Sequence, residues 1–80
     1  MTGEVVRYNV SNGRFAIVTP RGYIIAELRA GRVAEGMKVD WEEPVSSPAH
    51  FGCGTARSIE ATIVDVDVPG REMMQLLGPW

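Results

Sequence analysis

Between Gly13 and Arg29 the chain reads GRFAIVTPRGYIIAELR, two runs of β-branched and aromatic residues around a Pro-Arg-Gly break. This pattern is that of two β-strands joined by a tight turn, and the other strand candidates arrange themselves around that hairpin. Alternation in the second run is informative. Ile24, Ala26 and Leu28 share one face, wholly apolar and therefore assigned to the core. Tyr23, Ile25, Glu27 and Arg29 share the other, which is mixed and is expected to face outward.

The preceding strand candidate, Glu4 to Val10, is rich in Val and Tyr and ends at Asn12-Gly13, a pair suited to a two-residue hairpin turn. The second strand then runs from about Arg14 to Thr19. Pro20 and Gly22 punctuate the next turn, and the third strand begins at Tyr23. Residues 29–36 (RAGRVAEG) form a connection with room for one helical turn. In the run Met37 to Glu43, Met37, Val39 and Trp41 are predicted to point inward and Lys38, Asp40 and Glu42 outward. Pro44 stops that strand, because proline cannot donate to a ladder.

From Pro44 to Ser58 the chain is rich in Pro, Gly, Ser and Ala with no apolar period. It is expected to be a long loop of the kind that is often functional or mobile. Ile59 to Val68 is the last strand, with its inward parity slipping between Ile63 and Val64, so a bulge is predicted there. After Pro69-Gly70, the tail Arg71 to Trp80 carries Met73, Met74, Leu76, Leu77 and Trp80 and suits one or two helical turns. No repeat, heptad or linker interrupts the chain. Eighty residues make one domain, close to the lower limit for a single unstapled core.

The lone Cys53 rules out an internal disulfide framework, and the opening MTGEVVRYNV lacks the pattern of a signal peptide. A reducing cytoplasm is therefore the expected setting, with no membrane partner, since no apolar run approaches the ~20 residues of a membrane span. The net charge of −2 is unevenly spread. Residues 1–38 hold six basic and three acidic side chains, net +3; residues 39–80 hold two basic and seven acidic, net −5. A basic first half suits phosphates, although ordinary surface charge explains it as well.

Five short strands with tight first and second turns suit a small closed all-β barrel, because closure removes exposed edges. The pattern suggests an oligonucleotide/oligosaccharide-binding barrel (OB-fold) over residues 1–68, with residues 69–80 as a tail packing on the barrel or on a partner. Three pieces carry a closer likeness. Residues 2–9 (TGEVVRYN) are similar to the opening TG-x-V-K-W-F-N strand of the bacterial cold-shock domain. Residues 14–20 (RFAIVTP) are similar to its G-F-G-F-I-T-P motif, and residues 35–39 (EGMKV) to its E-G-Q-K-V segment. The chain thus resembles a divergent cold-shock domain over roughly residues 2–43. A similar layout occurs in initiation factor one and S1 domains of the broader OB group.

The resemblance implies a five-stranded barrel whose second and third strands bind single-stranded RNA or DNA. Phe15 keeps the first stacking aromatic of the motif, while Ile17 replaces the second. Ile25 and Glu27 stand where the family has Phe and His, and Arg7 replaces a Trp beside Tyr8. At about 1–3 kcal/mol per stacked base, these losses remove on the order of 4–10 kcal/mol and leave weak binding. The expected contacts are Phe15 as the main platform, Tyr8 and Tyr23 assisting, and Arg7, Arg14 and Arg29 on phosphates.

On this reading Phe15, Ile17, Tyr23 and Ile25 form an outward apolar patch, which calls for a cover. Nucleic acid, a protein partner or second copy, and the chain's own tail are the three candidates. The alternative function is accordingly a protein-interaction or self-associating module, including a homodimer, without nucleic-acid binding.

His50 and Phe51 are expected as loop contacts to a ligand, or as loop residues with no role. With Cys53 they supply only two metal ligands of the four a structural zinc needs, so no metal or cofactor is expected. Cys53 with His50 lacks an orienting group and an oxyanion site, and Gly52-Cys53-Gly54-Thr55 lacks the Lys-Ser/Thr of a phosphate loop. Asp65 and Asp67 have the spacing of a strand's solvated side rather than of an acid–base pair. No enzymatic activity is expected.

Overall fold

The computed structural model describes residues 1–53 and 58–79. Gly54, Thr55 and the tail's Trp80 lie outside them. Six strands, β1 (Thr2–Asn9), β2 (Arg14–Thr19), β3 (Gly22–Ala30), β4 (Lys38–Asp40), β5 (Ala49–Gly52) and β6 (Ser58–Val68), precede one helix, α1 (Gly70–Leu77). The strands close into a small OB-like barrel in the order β1-β2-β3-β6-β5-β4, every neighbouring pair antiparallel. The expected fold class is therefore present, with six strands in place of five. The additional strand, β5, comes from the segment read as a loop; its Ala49 and Phe51 are buried and it pairs with β6.

The barrel interior follows the alternation predicted for β3 and for residues 37–42. Ile24 and Ala26 are buried, with Leu28 packed against them. Val39 and Trp41 are buried and Met37 packs on the same cluster, whereas Lys38, Asp40 and Glu42 are exposed. Phe51 sits at the centre, edge-on to Phe15 (6.2 Å between ring centroids, 77° between planes) and to Trp41 (5.7 Å, 72°). Such pairs contribute about 0.5–1.5 kcal/mol beyond their buried area.

The phase of β2 differs from expectation. Its loop to β3 holds two residues, Pro20 and Arg21, so Thr19 lies opposite Gly22, Ile17 opposite Ile24 and Phe15 opposite Ala26. Counting Gly22 into the turn shifts the pairing by one residue and turns β2 over, because the side-chain period of a strand is two. Phe15 and Ile17 consequently point inward with Ile24 and Ala26. The Thr19 hydroxyl holds the tight loop, donating to the Gly22 carbonyl (2.8 Å) and accepting from the Arg21 N–H (3.2 Å). Gly22 itself has φ +135°, and a Cβ there would lie 2.9 Å from the Val68 carbonyl oxygen, so only glycine fits.

The first hairpin is also longer than predicted. Asn9 pairs with Arg14, leaving a four-residue loop in which Asn9 Oδ1 accepts the Ser11 N–H and Asn12 Oδ1 accepts the Arg14 N–H. A register shift between Val5 and Arg7 sends Val5 and Tyr8 to the interior and Val6 to the outer face. The bulge expected in β6 is present. Ile63 pairs with Ala26 and Asp65 with Ile25, so Val64 is the extra residue, and a second irregularity follows at Asp67, with φ +53°.

α1 lies across the outer face of β2 and β3. Met73 and Leu77 pack on Ala16, Ile25 and Val68, with Val6, Tyr23 and Leu76 at the margin. Its last turn contains no basic residue, and the β1–β2 hairpin supplies the missing cap. Asn9 Nδ2 donates to the carbonyls of Leu77 and Pro79 (2.9 Å each), Asn12 Nδ2 to that of Leu77 (2.7 Å) and Arg14 Nη1 to that of Leu76 (2.7 Å). These bonds satisfy carbonyls that a helix end leaves open and set a positive charge at its negative pole. Among the described residues, Asn9 is the buried polar one. Asn9→Ala is expected to lower stability by about 1–3 kcal/mol. In hydrogen exchange, α1 amides should lose protection before those of the barrel; uniform loss would contradict the capping role.

Candidate interaction surface

The ten residues expected to bind do not form one surface. Phe15, Ile17 and Phe51 are each fully buried inside the barrel, the first two because of the hairpin register and the third because β5 is a strand. The expectation that Phe15 serves as an exposed stacking platform is thereby corrected, as is that of Phe51 as a loop contact. Ile25 does face away from the barrel interior, but it is fully buried beneath α1. Tyr23 is half-buried at the edge of the same contact, and Tyr8 half-buried against the barrel core. Of the three covers weighed for the outer face of strands two and three, the chain's own tail is the one in place.

The charged members are dispersed. Glu27 accepts from Arg14 (Nε to Oε2, 3.4 Å) and lies 3.2 Å from Arg29. Arg14 is also committed to the helix end, and Arg29 Nε donates to the Thr62 hydroxyl (2.8 Å). Arg7 is exposed on β1. His50 is exposed on β5 and pairs across the ladder with Glu60 at 3.6 Å. Cys53 is half-buried against the barrel core. Among the described residues, no three His, Cys, Asp or Glu side chains come together as a metal site, and no helix is long and apolar enough to cross a membrane.

Two further surface features bear on binding. A shallow cleft of about 580 Å³ runs over the β1–β4 seam, lined by Thr2, Gly3, Glu4, Val18, Lys38, Val39, Asp40 and Gly52. Glu4 stands directly opposite Lys38 on that ladder, which leaves Asp40 as the further charge of its lining.

The second feature is the far half of β6. β5 pairs with β6 only from Ser58 to Ala61; among the described residues, no strand pairs the other side of Thr62 to Val68. The neighbouring segment, residues 42–48, contains Pro44 and Pro48, which have no N–H to donate, and it reaches β6 through a side chain, Ser47 Oγ accepting from the Ile63 N–H (2.8 Å). Val66 N–H donates to the carboxylate of the adjacent Asp65 (2.8 Å). Val64 and Val66 are 36% and 38% exposed, large fractions for valines in a strand.

Beside this edge, a cleft of about 200 Å³ opens between the β2–β3 turn and residues 43–45. Ile24, Pro44, Val45 and Val66 supply its apolar lining, and Thr19, Arg21, Glu43 and Asp67 its polar one. Arg21 bridges the two carboxylates, 2.8 Å from Glu43 and 3.6 Å from Asp67. The sequence signal was present in the Val-Asp-Val-Asp run and the two prolines. The position of the run along a free edge was not.

Compared with protein-family models, with curated proteins and with solved structures, the chain matches none.

Proposed function

We propose that the protein is a non-enzymatic protein-interaction module, at work in a reducing cytoplasm, that takes up an extended segment of a partner along the exposed edge of β6. The observation that carries this reading is the combination of a strand edge, Thr62 to Val68, that has no strand partner among the described residues and whose Ile63 and Val66 N–H groups are met only by side chains a partner strand can displace, with an adjoining cleft of mixed lining. Strand addition uses these two elements: backbone hydrogen bonds along the edge give affinity, and a neighbouring pocket selects side chains. Single-stranded nucleic acid is a weaker fit, because stacking requires exposed aromatic faces, and Phe15 and Phe51 are inside the barrel.

The two readings separate in a pair of titrations. Labelled oligo(dT) and oligo(rU), tested at low and high salt, are expected to show no saturable binding. Extended peptides enriched from a random display library are expected to shift the amide resonances of residues 62–68 and to lose binding in Val66→Arg. Saturable oligonucleotide binding that weakens steeply with salt would overturn the proposal in favour of the cold-shock-like reading.

A further inference from the structure

The charges around the β6 edge narrow the kind of segment it would accept. Asp65 and Asp67 alternate with the exposed Val64 and Val66, and Glu43 lies on the far rim of the adjoining cleft. Among the described residues, Arg21 is the one basic residue lining that cleft, set against Glu43 and Asp67, and Arg29, which donates to Thr62 at the near end of the edge, is paired with Glu27, so the edge and its cleft together keep an excess of negative charge at Asp65 and its neighbours. Directly opposed like charges destabilise a strand pair, and opposed unlike charges stabilise it.

A second copy is a poor occupant on these grounds. Antiparallel self-pairing centred on Asp65 sets that residue against its own copy, and pairing centred on Val66 sets Asp65 against Asp67. The same carboxylates, with the two irregularities of β6, guard the edge against self-association. We infer that the occupant is an extended segment of another protein in which lysine or arginine alternates with aliphatic residues, a cation meeting Asp65, a second sharing Asp67 and Glu43 with Arg21, and an aliphatic side chain entering the cleft at Ile24, Val45 and Val66. This inference rests on the interaction-module reading and goes beyond it in naming the partner's chemistry.

The test uses the full chain and two synthetic peptides, one alternating Lys with Val and its twin alternating Glu with Val, followed by amide shifts and by fluorescence anisotropy. The Lys peptide is expected to bind at residues 62–68 at least about tenfold more tightly than the Glu peptide, and the ratio should shrink with salt. In the double variant Asp65→Lys, Asp67→Asn, the preference is expected to fall below about threefold or to invert. Asparagine is chosen at 67 because it tolerates the left-handed backbone there. Circular dichroism and the α1 amide resonances report whether that variant keeps its fold, and Lys38→Glu, on the β1–β4 seam and outside the lining of the β6 cleft, should leave the ratio unchanged.

Equal binding of both peptides at residues 62–68 overturns the charge assignment while leaving the edge as the site. Peptide shifts confined to other surfaces, or none with any peptide, overturn the edge itself and the function built on it. A concentration-dependent dimer in sedimentation, with shifts at residues 62–68, would make a second copy the occupant and overturn the inference.

Discussion

Phe15→Ala is expected to destabilise the protein by about 3–5 kcal/mol, the usual cost of deleting a fully buried aromatic. For a chain of 80 residues this is comparable with the whole folding free energy, on the order of 4–12 kcal/mol. The effect has two parts. The ring fills the barrel centre between Ile17, Ala26 and Phe51, and its truncation leaves a cavity that closed strands cannot collapse into. It also breaks the edge-on contact with Phe51, which in turn braces Trp41. Urea unfolding followed by tryptophan fluorescence measures the loss, and Phe15→Leu should recover more than half of it. A Phe15→Ala protein within about 0.5 kcal/mol of the parent, as expected for an exposed residue, would place the ring on the surface after all. The residue that likeness to a nucleic-acid binder singles out is thus, by its burial, a determinant of stability.

Leu77→Ala is expected to cost about 2–5 kcal/mol and to act on one face of the molecule. Leu77 is fully buried against Ala16, Ile25 and Val68 at the end of α1, and its carbonyl receives the side-chain amides of Asn9 and Asn12. Weakening this anchor lets the helix lift, uncovering an apolar surface centred on Ile25 and Tyr23. The measurable signs are early loss of hydrogen-exchange protection in residues 70–77, increased binding of a hydrophobic dye and a tendency to associate. Met74→Ala provides the control, since Met74 is exposed on the same helix and its loss should change stability by less than about 0.5 kcal/mol. If both variants behave alike, the helix is not docked through Leu77.

Much of the barrel is readable locally. Side chains alternate along β3 and along residues 37–42 because the chain's period in a strand is two, so an apolar subset declares its own face. The slip at Val64 shows where that alternation breaks, and the Met-Met-Gln-Leu-Leu run after Pro69-Gly70 declares a short amphipathic helix. What alternation does not declare is which face of one strand meets which face of the next. β2 has apolar residues on both faces, Phe15 and Ile17 on one and Ala16 and Val18 on the other, so its phase depends on whether Gly22 belongs to the turn or to the ladder. One residue in a loop decided whether Phe15 faces solvent or the core.

β5 was hidden for a different reason. Ala49 to Gly52 offers two inward side chains between a proline and a glycine, too little to signal a strand by itself. It becomes one because β6 supplies a ladder, and Phe51 a place in the core, from more distant parts of the sequence. The same holds for the proposed surface. Asp65 and Asp67 read as the solvated side of the last strand, and their exposure agrees, whereas Val64 and Val66, on the inward parity after the slip at Ile63, are exposed instead. Only the closed sheet shows that, among the described residues, the backbone beside them lacks a strand partner, the neighbouring segment being interrupted at Pro44 and Pro48, which cannot donate to a ladder.

By itself, then, the amino-acid order determined that this chain forms short strands around an apolar interior and ends in a helix, since those choices depend on residues two to four positions apart. Tertiary structure decided which aromatic rings are sealed inside, what covers the outer face of β2 and β3, and which edge is left open. Each of these depends on pairing between segments far apart in the chain, whose register is set by turn length and by competition for the same ladder, and neither is written in any single stretch.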